Sequence, residues 1–185
     1  MAGHTPDFAR SLSLGNSGSG KSWLSWELDE RLGIAGIDLD TIHWDPDGFE
    51  VARDKDAARV AVRRIASQEI WIIEGVYGWL AQQALSRATA LIWLDTPIEE
   101  CLDNLRRRGP NPGSDEKSFA GLLAWAAAYR ERQTSSSSMG HGRLFAAFCD
   151  WKRRICSRAE AREFLAAIER AQRFQIVSAS SCFPG

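Results

Sequence analysis

An eight-residue run near the start of the chain, Gly15-Asn16-Ser17-Gly18-Ser19-Gly20-Lys21-Ser22, has the residue types and spacing for gripping a chain of phosphates, G-x-x-x-x-G-K-[ST]. Its glycines let backbone N–H groups curl inward around a β-phosphate. A helix starting at Lys21 would present its positive N-terminal end to the same anion. Lys21 is then expected to reach the β- and γ-phosphates, and the Ser22 hydroxyl to ligate Mg²⁺. Trp23 follows where many such loops carry a second hydroxyl against the α-phosphate, so it too is assigned to the nucleotide side.

The acidic partners are expected at the carboxyl ends of strands, where ligands sit in open α/β sheets. In Ile37-Asp38-Leu39-Asp40, strand alternation puts both carboxylates on one face, with Asp40 last. Asp40 either accepts a proton from a substrate hydroxyl or holds a Mg²⁺-bound water; alternatively Asp38 or Asp40 only caps the turn or helix that follows. Glu74, closing Ile70-Trp71-Ile72-Ile73-Glu74-Gly75, is a carboxylate placed to face the metal across from the phosphate loop. Asp95 also ends an apolar run, but Thr96-Pro97 follows at once, and it is assigned to the turn and left out of the site. Between Thr41 and Arg53, His43-Trp44-Asp45-Pro46 marks a substrate region. Arg53 is placed there to bind an anionic group, and Trp44 either stacks on a ring or fills the core.

Positioning these groups requires alternating strands and helices. Apolar runs predict strands at Phe8–Leu14, Ala35–Leu39, Ile70–Ile73 and Ala90–Leu94, with a weak one at Lys152–Cys156. Arg10-Ser11-Leu12-Ser13-Leu14 is polar for a central strand buried on both faces. Helical patterns fill the intervals at Lys21–Leu32, Asp54–Gln68, Gly78–Arg87, Pro97–Arg108 and Ser118–Arg132. Ser157 and Glu160 form a capping box ahead of Arg158–Ala171. Gly109-Pro110-Asn111-Pro112-Gly113-Ser114 cannot continue a helix, and Ser135–Ser138 with Met139-Gly140-His141-Gly142 reads as a flexible low-complexity link. The two bracket a helix that is either a moving lid or an ordinary surface element. Phe174–Val177 either adds an edge strand or frays.

With 185 residues, 44% of them apolar and 25% charged, the chain can bury a core without metals or disulfides, which excludes disordered and fibrous classes. One domain is expected over residues 1–172, with a substrate region at about 41–68, a lid at about 106–142 and a tail at 173–185. A net charge of −1 argues against a nucleic-acid binder working by bulk positive charge. Only four of the 23 basic residues are lysines; the arginine excess reflects either genome composition or bidentate grip on phosphates. Cys101, Cys149, Cys156 and Cys182 form no C-x-x-C pair, so reduced, buried thiols are expected. Met1–Pro6 lacks a basic segment followed by an apolar stretch, and no apolar run approaches the roughly 18 residues of a membrane span. A cytoplasmic protein without a membrane partner is the expectation.

Together these residues resemble the adenylate-kinase-like group of P-loop kinases, and most closely the bacterial DNA topology modulation proteins, from about Leu12 to Ile168. The marks are the Gly15–Ser22 loop, Leu39-Asp40 with Trp44, Trp71–Gly75 followed by Tyr77-Gly78, Leu94–Pro97 leading to Cys101 and Arg106–Arg108, and Ser157–Leu165. The resemblance implies a three-layer α/β P-loop fold with a five-stranded parallel sheet, helices on both faces and a helical lid. It implies that Arg106 and Arg108 at the start of the lid, and Arg130 and Arg132 on its return, close over nucleotide and neutralise the transferring phosphoryl group. Tyr77 is implied at the substrate, and Cys156–Ala159 as the loop holding the base. Relatives often carry Asp, Asn and Arg where this chain has Glu74, Val76 and Asn104. These departures bear on the acceptor and remove one lid contact.

The leading expectation is an ATP-dependent phosphotransferase using ATP and Mg²⁺ on a small-molecule acceptor, as a monomer or homodimer. The alternatives are a nucleotide-binding regulator or NTPase related to DNA topology modulation, and a member that binds nucleotide without turnover. Arg63-Arg64, Arg106–Arg108 and Lys152-Arg153-Arg154 offer phosphate contacts to a duplex, but no helix-turn-helix, zinc-finger or RNA-binding signature accompanies them, which weighs against direct DNA binding.

Overall fold

The structure, a computed structural model, describes residues 6–45 and 51–180. Met1–Thr5, Pro46 and Cys182, used in the sequence reading, lie outside the described residues. Strands β1 (Arg10–Gly15), β2 (Gly36–Asp38), β3 (Trp71–Gly75), β4 (Ala90–Leu94) and β5 (Trp151–Ile155) form one parallel sheet in the order β2-β3-β1-β4-β5. Among the described residues the helices are α1 (Lys21–Leu32), α2 (Asp40–His43), α3 (Lys55–Ala66), α4 (Gly78–Ala81), α5 (Ile98–Arg108), α6 (Glu116–Ala127), α7 (Ser138–Ala147) and α8 (Arg158–Ser180), with 3-10 turns at Leu85–Arg87 and Ala128–Arg130.

Strand alternation sorts the core into two layers. Leu12, Leu14, Trp71, Ile73, Leu91 and Trp93 pack against Ile42, Ala58, Val62, Leu80 and Phe148 on one face. Ile72, Ile92, Leu94 and Ile155 meet Leu24 and Leu28 of α1 and Ala161, Phe164, Leu165 and Ile168 of α8 on the other. Helices on both sides of a parallel sheet make the expected three layers. The polar residues of β1 are explained by this arrangement: Ser11 and Ser13 are fully buried, and alternation turns them toward the α1 and α8 layer, where small side chains leave room for α1 over the sheet.

Several local expectations are corrected. β1 begins at Arg10, because Phe8 turns aside into an aromatic cluster with Trp151 and Phe164, ring centroids 5.1 and 5.8 Å away. β2 stops at Asp38. Leu39 caps α2, so Asp40 opens a helix and does not share a strand face with Asp38. The Gly78–Arg87 helix is one short α-helix and a 3-10 turn, and the Ser118–Arg132 helix ends in a 3-10 turn from Ala128. The serine run is no flexible link: Ser136 and Ser137 are buried, and Ser137 Oγ accepts from Gly140 N at 3.3 Å to cap α7 while donating to Thr134 O at 2.7 Å. Phe174–Val177 continues α8 and adds no edge strand. Of the cysteines described, Cys101 is buried, but Cys149 and Cys156 are exposed.

Candidate functional site

The phosphate loop is shaped by contacts that only its own residues permit. Gly18 and Gly20 adopt φ of 77° and 93°, the left-handed region that favours glycine. A Cβ on Gly18 would also run into the backbone carbonyl of Cys101 in α5. Asn104 Nδ2 donates to Gly18 O at 2.8 Å, and Thr96 Oγ1 donates to Ser19 O at 3.0 Å. Asn16 works in both directions. Its amide oxygen accepts from Ser17 N at 2.9 Å, while its Nδ2 donates to Ala126 O at the end of α6, also at 2.9 Å. Asn16 is therefore a brace between the loop and α6.

Beyond the loop lies a cleft of about 950 Å³, lined by Ser17, Gly18, Lys21 and Ser22 on the α1 side and by Asp38, Asp40, His43, Trp44, Asp45 and Tyr77 on the α2 side. Arg108, Asn111, Phe119 and Trp125 from α5, α6 and their connection line it as well. Asp38 Oδ1 accepts from Asp40 N at 2.8 Å, so Asp38 does cap the turn, yet both carboxylates still reach the cleft. Tyr77 lines the cleft beside Asp40 and its hydroxyl favours the ionised Asp40 carboxylate. Burial raises the pKa of Asp40, opposed by the charge of Lys21. Burial likewise raises Asp38, with Asp40 adding to it.

Glu74 sits at the centre of the charge arrangement. The Ser22 hydroxyl donates to its Oε1 at 2.6 Å, and Lys21 Nζ lies 3.7 Å from Oε2. Burial raises its pKa against the opposing charge of Lys21. Its Oε2 is buried without a hydrogen-bond partner. A serine hydroxyl and carboxylates, with no group of three metal-binding side chains among the described residues, suit a hard cation that keeps its waters and shares phosphate oxygens, as Mg²⁺ does.

Other expected residues lie elsewhere. Arg106 pairs with Asp103 at 3.0 Å and does not line the cleft. Arg53 follows Ala52, which bridges to Trp44, and its side chain also lies off the cleft lining. Trp23 packs under Arg158 at 4.9 Å, beside Cys156–Ala159, and none of these lines the cleft. Arg130 is drawn to Asp95 at 3.2 Å. Asp95 is not a turn residue but a buried anchor that also pairs with Arg154. Arg132 stacks on the Trp125 ring at 3.6 Å, with Nε and Nη2 buried and lacking hydrogen-bond partners.

Sequence reading missed the support behind the cleft wall. Buried His141 hydrogen-bonds through Nε2 to Val76 O at 2.9 Å and through Nδ1 to Tyr129 Oη at 2.7 Å, and Trp93 Nε1 donates to that same oxygen at 3.2 Å. One arrangement satisfies all three: a neutral His141 donates from Nε2, Tyr129 donates to Nδ1, and Trp93 donates to Tyr129. Burial lowers the His141 pKa to about 4.

No family model matches the chain, and no curated protein matches it in sequence. Solved structures do match in fold. A shikimate kinase from Acinetobacter baumannii, solved with shikimate, is similar at TM-score 0.51 and 16% identity over 94% of this chain and 96% of that one. The fold is that of the P-loop kinases. A sugar kinase from Janibacter matches at TM-score 0.51 and 16% identity, over 96% of this chain and all of its own. A shikimate kinase from Bacteroides thetaiotaomicron matches at 0.51 and 15%, over 89% and 98%. Among the described residues no helix is long and apolar enough to cross a membrane.

Proposed function

We propose that the protein is an ATP-dependent phosphotransferase acting on a small hydroxyl-bearing molecule. The observation that carries this is the convergence of Lys21, Ser22 and Glu74 at the phosphate loop with Asp40 on the facing wall of one cleft. Small-molecule kinases among the fold neighbours support the reading. The phosphate-loop amides and Lys21 would hold the β- and γ-phosphates of ATP, with Trp23, Arg158 and Cys156–Ala159 together on the side expected for the base. Ser22 and Glu74, with Asp40 near, would hold Mg²⁺ and its waters; when bound, that ion supplies positive charge to the phosphate oxygens.

Asp40 then takes the acceptor's hydroxyl proton as the acceptor oxygen bonds to the γ-phosphorus and the bond to the ADP leaving oxygen breaks. Burial raises its pKa, which makes it a stronger proton acceptor than an exposed aspartate, and Tyr77 stands beside it on the cleft wall. Arg108 faces the cleft and adds positive charge where phosphoryl transfer needs it. Arg130 and Arg132 stand behind the lid wall, and their part requires α6 to move inward, which excludes water. The order of motifs resembles that of the DNA topology modulation proteins, but the fold neighbours that support the kinase reading are shikimate and sugar kinases. Direct duplex binding is disfavoured because members of each basic cluster are engaged within the protein: Arg63 on Gln83, Arg106 on Asp103, Lys152 on the carbonyls of Phe145 and Phe148, and Arg154 on Asp95.

Calorimetry with ATP and Mg²⁺ tests the reading. Wild type binds, Lys21→Ala loses binding by tenfold or more, and unchanged affinity in that variant would refute it.

A further inference from the structure

Resting on the kinase reading, we infer that the acceptor carries its hydroxyl on a flat, unsaturated ring, as a nucleoside or a hydroxymethyl-substituted heteroaromatic does, and that aromatic side chains from two elements of the cleft hold that ring by its faces. The observation behind this is where the aromatic side chains fall. His43, Trp44 and Tyr77 line the cleft from the α2 side. They form one continuous surface: the His43 ring centroid lies 4.0 Å from that of Tyr77, tilted by 33°, and 4.5 Å from that of Trp44, edge-on at 68°. Trp79 stands 6.0 Å from His43, and both Tyr77 and Trp79 pack against the core, which anchors the surface from behind. Burial and the charge of Lys55 lower the His43 pKa, so the middle ring is neutral. Trp44, at the outer end, is 37% exposed.

A second apolar surface comes from α6. Phe119, Leu122 and Trp125, spaced three apart, share one face of that helix and line the same cleft, each half-buried. Glu116 and Lys117, the charged residues of α6, do not line it. Arg132 covers one face of the Trp125 ring at 3.6 Å and leaves the rest of that ring to the cleft. A lid helix that served only to neutralise phosphate would turn charge inward. This one turns a Phe-Leu-Trp stripe inward, and such a stripe is buried when a ligand of matching chemistry covers it.

The rest of the lining is already spoken for. Ser17, Gly18, Lys21, Ser22 and Arg108 suit the triphosphate, and the nucleotide base belongs outside the cleft beside Trp23 and Arg158. The rings are left to the acceptor. A heteroaromatic ring offers two apolar faces with a polar rim, whereas a pyranose offers at most one such face and an open-chain polyol none. Tyr77 stands beside Asp40, so a ring laid on Tyr77 carries its hydroxymethyl arm toward that carboxylate.

Matched probes test this: uridine against 5,6-dihydrouridine, whose base is saturated, and adenosine, cytidine and pyridoxine against ribose, glucose and shikimate. ADP release gives kcat and KM, and calorimetry on protein loaded with a non-hydrolysable ATP analogue gives acceptor Kd. The expected result is a preference of about tenfold or more in kcat/KM and Kd for flat-ring probes over saturated ones. Trp44→Ala and Phe119→Ala should each raise KM for the best flat-ring probe about fivefold or more with little change in kcat, and Trp44→Phe should restore it to within about twofold of wild type. Equal or better use of a saturated probe, a smaller KM change in Trp44→Ala, a Trp44→Phe variant as impaired as Trp44→Ala, or no flat-ring probe binding to the nucleotide-loaded protein overturns the inference. Failure of ATP itself to bind would instead remove the kinase reading.

Discussion

Asp40 combines two demands that oppose each other. A carboxylate buried enough to have a raised pKa is a better proton acceptor near neutral pH, but keeping it ionised there costs folding free energy. Because its folded pKa lies above the unfolded value, its contribution to stability is fullest below the unfolded pKa and is lost as pH rises through the folded one. Asp40→Asn should therefore lower kcat by about 10²–10⁴-fold while leaving ATP affinity near wild type. It should also raise stability at pH 7 by about 1 kcal/mol, measured by urea denaturation. Wild-type kcat/KM should fall on the acid side with a midpoint above the ordinary aspartate range. Gly18 carries a different constraint. Gly18→Ala places a side chain at φ 77° and against the Cys101 carbonyl, so a stability loss of roughly 2 kcal/mol or more is expected, together with weakened ATP binding in calorimetry.

At the scale of elements, α7 matters more than its sequence announces. Its helix packs beside the sheet, and His141 on it carries the Val76 carbonyl at the cleft wall. Tyr129→Phe deletes the oxygen shared by His141 and Trp93 and strands two buried polar groups, so it should cost about 2–4 kcal/mol by denaturant unfolding. The β-strands with strong apolar runs and the phosphate loop were legible because their signals are local. α7 was not, since a run of four serines has the composition of a linker, and only tertiary burial makes Ser137 a cap. Asp95 was misread for a similar reason: its partners Arg130 and Arg154 are 35 and 59 positions away in sequence. Asp38 and Asp40 both line the cleft, but not through the strand alternation expected of them, because β2 ends at Asp38 and Leu39 turns the chain into α2.

For the whole molecule, His141 predicts a stability profile. Its folded pKa of about 4 lies below the unfolded value of 6.5, so the unfolded chain binds more protons between those pH values. The contribution is fully present above pH 6.5 and is lost as pH falls toward 4, amounting to about 3 kcal/mol. Urea midpoints recorded from pH 7.5 to 4.5 should decline across that window, and His141→Gln should flatten the decline. The five-stranded order with β1 at the centre puts the phosphate loop, Glu74 and Asp95 together at the carboxyl ends of three adjacent strands. That is why residues from distant parts of the chain meet there.

The Asn16 brace ties the phosphate loop to α6. One amide group holds the Ser17 N–H of the loop and the Ala126 carbonyl of α6, so a displacement of α6 is transmitted to the amides that would face the phosphates. On the proposed kinase function, if an acceptor draws α6 inward, whatever factor it thereby adds to nucleotide affinity, nucleotide must return to acceptor affinity. Asn16→Ala would uncouple them, leaving each ligand to bind as if the other were absent.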